Sequence, residues 1–515
     1  NIRLVIAGDG EERKNLEALA KELCPEHSVT FAGWVRDTDS FYNAIDVNML
    51  TSLSEGSPYA LVEGARMRCA TIATAVGGIP YMMESGVTGL LFQPRDVETL
   101  SAFMVRLVEN PAFRRQLGEN FYEKAESVYS AEATVQHQLD IYRTILRQCA
   151  AKKEKRRGVV ICGAYGKGNA GDEAILKAIL RQLQHIDPDM PITVLSHNPR
   201  STRLTHHVGA VYVFNPFSFL PVMRRTKLYL SGGGSLIQNQ TSTRSLYYYL
   251  LSIRLARLTG NKVLMYGCGI GPVNGDGCRR LSARVIDKNV DAITLREDLS
   301  AEELKSMGVT KPSVYVTADP ALLLAPGSDG AVDGFLLGNN IDPAGSYALF
   351  VLRDWPGFDG KKDAFVQAAK FAKERCGLQP IFFALEPNRD LPPSREVARS
   401  LGFDCPMLSA PADEKLIIGM MKKMRVVVSM RLHALIFASS VAAPLVAVSY
   451  DPKVTGFMHY IGQKHCVYFE DVTAEKLCGL ISGALSDPAE YSVGHLRALA
   501  AQNEEIARKL LEEAT

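Results

Sequence analysis

Short runs of aliphatic and β-branched residues alternate along the whole chain with stretches whose apolar positions recur every three or four residues. This is the pattern of α/β domains built on parallel sheets. In the first 150 residues Ile2–Ala7, Val29–Phe31, Val47–Leu50, Thr71–Thr74 and Gly89–Phe92 predict strands, while Glu11–Leu23, Tyr59–Met67 and Val97–Val108 predict helices, and helices dominate from there to about Leu146. Residues 150–157, reading A-A-K-K-E-K-R-R, break the apolar pattern and predict a solvated basic linker over 149–157. A second series restarts at Gly158, with strands at Val159–Cys162, Ile192–Leu195, Lys227–Leu230, Val263–Tyr266, Ala292–Leu295 and Val314–Val316. Gly, Pro and Asp crowd residues 325–345 and predict a hinge or crossing. A third series holds Tyr347–Leu352, Pro380–Phe383, Val426–Ser429 and Leu445–Val448, and Val493–Glu513 closes the chain as a helix. The domains expected are 1–148, 158–335 and 336–515, the last with a helical tail.

Composition narrows the class. The 515 residues carry 58 Lys and Arg against 56 Asp and Glu, a net charge of +2, with 47% hydrophobic and 22% charged residues. Such near-balance speaks against a nucleic-acid binder, and the apolar content against intrinsic disorder. No apolar run reaches membrane-spanning length, and the opening Asn-Ile-Arg-Leu-Val-Ile-Ala-Gly is too short for a signal peptide. The chain starts on a strand without an initiator Met, which reads as a piece of something longer. Its ten cysteines are scattered with no CxxC pair, the usage of a reducing compartment, so the expected location is cytoplasmic and no metal site is expected.

Two constellations carry candidate chemistry. In the first domain, Ser-Glu-Gly-Ser-Pro-Tyr-Ala-Leu-Val-Glu-Gly (54–64) places Glu55 in a turn and Glu63 about one turn into a helix, and Ala-Val-Gly-Gly-Ile-Pro (75–80) adds a glycine turn at Gly77 and Gly78. Carboxylates there can accept from ribose hydroxyls, and backbone can approach a diphosphate. From Gly158 onward six unusual stretches fall at strand ends: 163–173, Ser-Gly-Gly-Gly-Ser (231–235), 267–272, Leu-Arg-Glu-Asp (295–298), Leu-Arg-Asp-Trp (352–355) and Ser-Met-Arg-Leu-His-Ala (429–434). Open α/β sheets bind ligands at that end. Arg431 and His433 open a helix, Arg296 closes a strand, and Asn169 and Asp172 bracket the first turn, with Asp172 read as a helix N-cap. Together they predict an anionic ligand.

Residues 1–146 resemble the C-terminal, nucleotide-sugar-binding half of retaining GT-B glycosyltransferases of the GT4 type, through Ala-Gly-Asp-Gly (7–10), Phe-Ala-Gly-Trp (31–34), the Glu55/Glu63 pair, Val-Gly-Gly-Ile-Pro (76–80) and Gly-Val-Thr-Gly-Leu-Leu (86–91). The resemblance implies that Glu63 holds a donor ribose and Glu55 lies near the transferred sugar. It covers one half of a two-lobed cleft, so this part is not expected to transfer sugar by itself. The alternative is a bifunctional protein with a further lobe upstream.

Residues 158–490 resemble the polysaccharide pyruvyl transferase family, in particular its S-layer-anchoring branch. The matching stretches are 165–176, Leu-Ser-Gly-Gly-Gly-Ser-Leu-Ile-Gln (230–238), 244–249, Gly-Ile-Gly-Pro (269–272), 295–300, Ala-Asp-Pro-Ala (318–321), Met-Arg-Leu-His (430–433) and Tyr-Asp-Pro-Lys-Val (450–454). The implied fold is α/β with three Rossmann-like lobes, the last two a GT-B-like pair around a cleft. The implied chemistry moves pyruvate from phosphoenolpyruvate onto two sugar hydroxyls as a cyclic ketal, with Arg296, Arg431, Leu432 and His433 binding phosphoenolpyruvate and no cofactor. His433 is the expected general acid, because imidazole titrates near neutrality, and Asp172 the group that orients or deprotonates the hydroxyl. Asn169, Gly233, Ser235 and Arg353 are expected at the acceptor or cleft. The expected partners are a sugar of a cell-wall, capsular or lipid-linked precursor, a nucleotide sugar at the first lobe, and the membrane surface through peripheral association.

Overall fold

A computed structural model describes residues 2–150, 156–240, 242–410, 413–487 and 491–514. Residues 151–155 of the expected linker lie outside them. Arg156, expected in a solvated linker, is instead bonded into the second unit: its guanidinium donates to the carbonyls of Thr226, Thr259 and Met223.

The chain forms two compact units, residues 1–141 with 333–339, and residues 142–332 with 340–515. Every paired strand is parallel. In the first unit β1 (Leu4–Ala7) pairs with β2 (Val29–Gly33), and β3 (Val47–Leu50), β4 (Ala70–Thr74) and β5 (Leu90–Phe92) make a separate sheet. Two small apolar clusters around Leu61, Phe121, Ile72 and Phe113 form its core.

The second unit holds two doubly covered sheets. The first contains β6 (Val159–Cys162), β7 (Ile192–Ser196), β8 (Gly209–Tyr212), β9 (Leu228–Ile237), β10 (Lys262–Ile270), β11 (Ala292–Leu295) and β12 (Ser313–Val316), in the order β12-β11-β10-β9-β6-β7-β8. The second contains β13 (Tyr347–Val351), β14 (Gln379–Ala384), β15 (Met407–Ser409), β16 (Val426–Ser429), β17 (Leu445–Ser449) and β18 (Cys466–Tyr468), in the order β15-β14-β13-β16-β17-β18. Runs such as Val-Val-Val-Ser in β16 are buried at every position, as parallel strands covered on both faces require. The expected architecture stands: α/β, with these two Rossmann-like lobes paired as in a GT-B fold.

Three differences from the sequence reading have physical causes. Ser231–Ser235 and most of Gly267–Pro272 are strand, not turn, because β9 and β10 pair with each other through Ile237 and Ile270. The crossing at 325–345 contains a helix, Asp329–Gly338, and its residues 333–339 group with the first unit. The strands that went unread, β8, β15 and β18, are three- or four-residue edge strands, too short to set a pattern.

The helical tail, Val493–Glu513, packs back on the first of the two lobes. Asn503, fully buried, donates to the carbonyls of Ala318 and Ala500 at 3.0 and 2.9 Å and accepts from the Thr317 hydroxyl at 3.0 Å. Arg497 donates to Leu322 and to Ser440, one carbonyl from each lobe. Replacing Asn503 by Ala removes the donor to the buried Ala318 carbonyl and one of the two acceptors of the Thr317 hydroxyl, which keeps Leu295. The expected cost is about 2 kcal/mol, read as a lower urea midpoint for the second unit.

Candidate functional site

In an open parallel sheet, the strand-end crevice lies where neighbouring strands send their chains to opposite faces. Here that point falls between β6 and β9 in one lobe and between β13 and β16 in the other. The segment after β6 carries Asn169 and Asp172, β9 carries Gly233 and Ser235, the segment after β13 carries Arg353, and that after β16 carries Arg431, Leu432 and His433.

Two helices start at this place. Asn169 caps Ala170–Ile186, its side-chain oxygen accepting from the Gly171 amide at 3.0 Å. This corrects two expectations: the cap is Asn169 rather than Asp172, and the Asn169 oxygen is committed to the backbone. Leu432–Ser439 begins without any side-chain cap, since Arg431 at that position has no acceptor to offer. The two starts meet. A β-carbon on Gly171 would overlap the imidazole of His433, so the ring lies directly on the Gly171 backbone. Gly234 faces the Asp172 carboxylate, with 3.5 Å between its β-carbon position and Oδ1. The β-carbon position of Gly233 is instead filled by Ile175, so this residue serves packing, contrary to its expected place in the cleft.

Around this contact lie the cations. Arg296, 3% exposed, donates to Ser235 Oγ at 3.1 Å and to Asp319 at 3.1 Å, and its Nε has no hydrogen-bond partner. Arg431 donates through Nε to Asp390 at 2.8 Å, through Nη2 to Asp390 again, and through Nη2 to Glu386 at 2.9 Å. The Nε2 of His433 is buried and unpartnered as well. Leu432 is buried beside it. Arg353 donates to the Tyr450 hydroxyl at 3.0 Å, and Tyr450 packs against Trp355 with ring centres 4.5 Å apart and planes tilted by 44°. The Nε of Arg353 is a third buried nitrogen without a partner.

Burial drives the His433 imidazole down to about 3, with Arg296, Lys453 and Arg431 adding their repulsion. The same burial pushes Asp172 up to about 7, helped by Glu173 and opposed by Lys453, Arg296 and Lys167. The expectation that His433 titrates near neutrality is therefore corrected: among cations and largely withdrawn from water, the imidazole is neutral. Lys453, Lys167, Asp319 and Asp390 were not singled out from the sequence. Lys453 lies in the Tyr-Asp-Pro-Lys-Val stretch, and only its placement against both Asp172 and His433 gives it a part.

In the first unit, Glu55 accepts from the Ser52 hydroxyl at 2.7 Å, and its carbonyl accepts from the Gly78 amide at 3.2 Å. A β-carbon at Gly77 or Gly78 would overlap the carbonyl of Glu55 or Gly56, and Gly77 has φ 54, so the two turns stack only as glycine. Glu63 lies beside Tyr42, whose hydroxyl is pushed up to about 12 by burial first and by Glu63 next. Among the described residues no helix is long and apolar enough to cross a membrane.

The two perturbed groups oppose each other in stability. Between the ordinary 3.8 of Asp172 and about 7, the folded chain keeps a proton that the unfolded chain releases, so stability from this group falls as pH rises through that window. Between about 3 and the ordinary 6.5 of His433, the unfolded chain binds a proton that the folded chain refuses, so stability from this group rises with pH. Asp172→Asn removes the falling contribution and His433→Gln the rising one. In urea unfolding across pH 4 to 6.5, the slope of stability against pH is expected to become more positive than the wild type's in Asp172→Asn and more negative in His433→Gln.

Comparison with known proteins agrees with both family resemblances. Residues 1–124 match the family of glycosyl transferases group 1. The lipopolysaccharide core biosynthesis glycosyltransferase LpsE of Rhizobium meliloti is 32% identical over 132 residues, 26% of this chain and 39% of that protein. The N-acetyl-alpha-D-glucosaminyl L-malate synthase of Bacillus anthracis is 28% identical over 145 residues, 28% of this chain and 38% of that protein. The chain thus spans about two fifths of the length of these curated relatives. Among solved structures, the UDP-GlcNAc 2-epimerase of Methanocaldococcus jannaschii aligns over 69% of this chain and 99% of its own, at 11% identity and a TM-score of 0.48. Residues 169–452, more than half of the chain and including Asp172, Arg296, Arg353, Arg431 and His433, match polysaccharide pyruvyl transferase, and the chain belongs to that family.

Proposed function

We propose that the second unit transfers pyruvate from phosphoenolpyruvate to two hydroxyls of a sugar in a cell-wall or exopolysaccharide precursor, forming a cyclic ketal and releasing phosphate. The observation that supports this most is the meeting of two helix N-termini at Gly171 and His433, beside buried, unpartnered nitrogens on Arg296 and His433. Positive helix ends and aimed guanidinium donors suit a small molecule that bears both a carboxylate and a phosphate.

In this scheme the methylene carbon of phosphoenolpyruvate takes a proton, leaving oxocarbenium character on the adjacent carbon. One sugar hydroxyl adds there and loses its proton, and the carbon–oxygen bond to phosphate breaks. The second hydroxyl then adds, loses its proton and closes the ring. Arg296, Arg431 and the amides of Leu432 and His433 hold the anionic groups. An anion placed among these cations offsets the repulsion that adds to burial in keeping His433 neutral, so binding raises its pKa and readies it as the acid. Asp172 orients the attacking hydroxyl or takes its proton, for which a carboxyl at about 7 is well matched. Such precursors are commonly lipid-linked, so the protein works at the membrane surface in this reading.

A second reading concerns the first unit. Its stacked turns at Glu55 and Gly77–Gly78, with Glu63 on the following helix and the match to glycosyl transferases group 1, support nucleotide-sugar binding as part of a bifunctional protein. Titration of UDP-sugars into the chain and into its Glu63→Gln variant tests it: measurable binding that weakens in the variant is the expected result.

For the main reading the assay is phosphate release from phosphoenolpyruvate with a panel of amino-sugar glycosides. Release is expected only when an acceptor is present and is expected to vanish in Arg431→Ala. His433→Gln and Asp172→Asn are each expected to lose about a hundredfold or more in turnover, the usual worth of a placed acid or base. Full turnover in either variant would remove that residue from its role.

A further inference from the structure

Each of the two cleft arginines is held from behind by a carboxylate that the proposed reaction does not use. Asp319, 1% exposed, accepts Nη1 of Arg296 on Oδ2 at 3.1 Å and the Ala321 amide on Oδ1 at 3.0 Å. Asp390, fully buried, accepts Nε and Nη2 of Arg431 on Oδ1 and the amides of Leu385 and Glu386 on Oδ2 at 3.0 and 2.8 Å. The construction is the same in both lobes. One carboxylate oxygen is fastened to the backbone of a turn beyond a strand, and the other grips the guanidinium. Neither carboxylate can follow its arginine if the arginine swings.

By charge alone this arrangement is adverse. Arg296 is offset by Asp319, and Arg431 by Asp390 with Glu386. A bound anion would meet buried negative charge close behind each cation, where the low local dielectric makes repulsion strong. What the carboxylates supply in return is direction. A guanidinium fixed along one edge shows its remaining donors at a single angle, and little rotamer freedom is left to lose when an anion binds.

We propose that Asp319 and Asp390 are positioning residues that aim Arg296 and Arg431 at the anionic groups of the donor substrate, and that this alignment outweighs the negative charge they bring. The inference rests on the reading of the cleft as a phosphoenolpyruvate site. Glu386 is the contrast: it bonds Arg431 at 2.9 Å, but its side chain is 31% exposed and its carboxylate caps no amide of the helix it precedes. It adds charge without an anchored grip.

The two views differ in sign. If the carboxylates act only as charge, neutralising them tightens anion binding. If they position, neutralising them weakens it. Phosphoenolpyruvate is titrated calorimetrically into the wild-type chain and into Asp319→Asn, Asp390→Asn and Glu386→Gln, and KM and kcat are measured for acceptor-dependent phosphate release. The expected result is a Kd and a KM raised about tenfold or more in both Asn variants, with a much smaller change in kcat, as misaligned binding groups produce. Glu386→Gln is expected to bind at least as tightly as the wild type. A purely structural role would lower the unfolding midpoint without moving Kd. If Asp390→Asn does not fold, Asp319→Asn carries the same test. Unchanged or tighter binding in the Asn variants, with the wild type binding normally, overturns this proposal and leaves the phosphoenolpyruvate reading intact. A wild-type chain that binds no phosphoenolpyruvate overturns that reading and this one together.

Discussion

The imidazole of His433 lies on the bare backbone of Gly171, and the site depends on that contact. It joins the first residues of a helix in one lobe to the first residues of a helix in the other. With any side chain at 171 the ring would be displaced and the helix starts would part. Because they meet, Asp172 and His433 are only partly exposed to water, and the lost hydration moves the two groups in opposite directions, the acid up and the base down. The chemistry proposed for the cleft uses this pair of displaced groups. A neutral imidazole among cations is poised to gain a proton when an anion arrives, and a carboxyl near neutrality can exchange one.

The two lobes bring their residues together by the same device. In each sheet the crevice falls where the strand order reverses, at β6/β9 and at β13/β16, and the chain emerging there carries the polar residues. Behind each arginine lies a buried aspartate tied to backbone amides. Behind the first lobe lies the tail helix, whose Arg497 bonds to carbonyls on both lobes. The near-zero net charge of the chain is consistent with this economy of cations. The site is built from aimed donors and helix ends rather than from a broad basic surface.

Much of this was legible in the residue pattern. Buried parallel strands are nearly continuous apolar runs, so β6, β13, β16 and β17 stood out, and Arg431 and His433 followed β16 by simple adjacency. Edge strands β8, β15 and β18 did not, because a strand of three or four residues with one open side needs no strong pattern. The glycine-rich stretches at 231–235 and 267–272 looked like turns because glycine is the usual turn residue. They are strand because β9 and β10 extend together, and there glycine takes positive φ at irregularities of the ladder, admits Ile175 and faces Asp172.

The sequence by itself determined the class of the chain, the order of its elements and the residue types at each strand end, because these depend on local periodicity and on which residues follow a strand. Tertiary structure alone decided which side chains are free to act. It committed Asn169 to a cap, Gly233 to packing and one edge of each arginine to a buried carboxylate. It set Lys453 against both Asp172 and His433. It also decided protonation, since no local pattern reports how much water two lobes exclude when their helix starts come together.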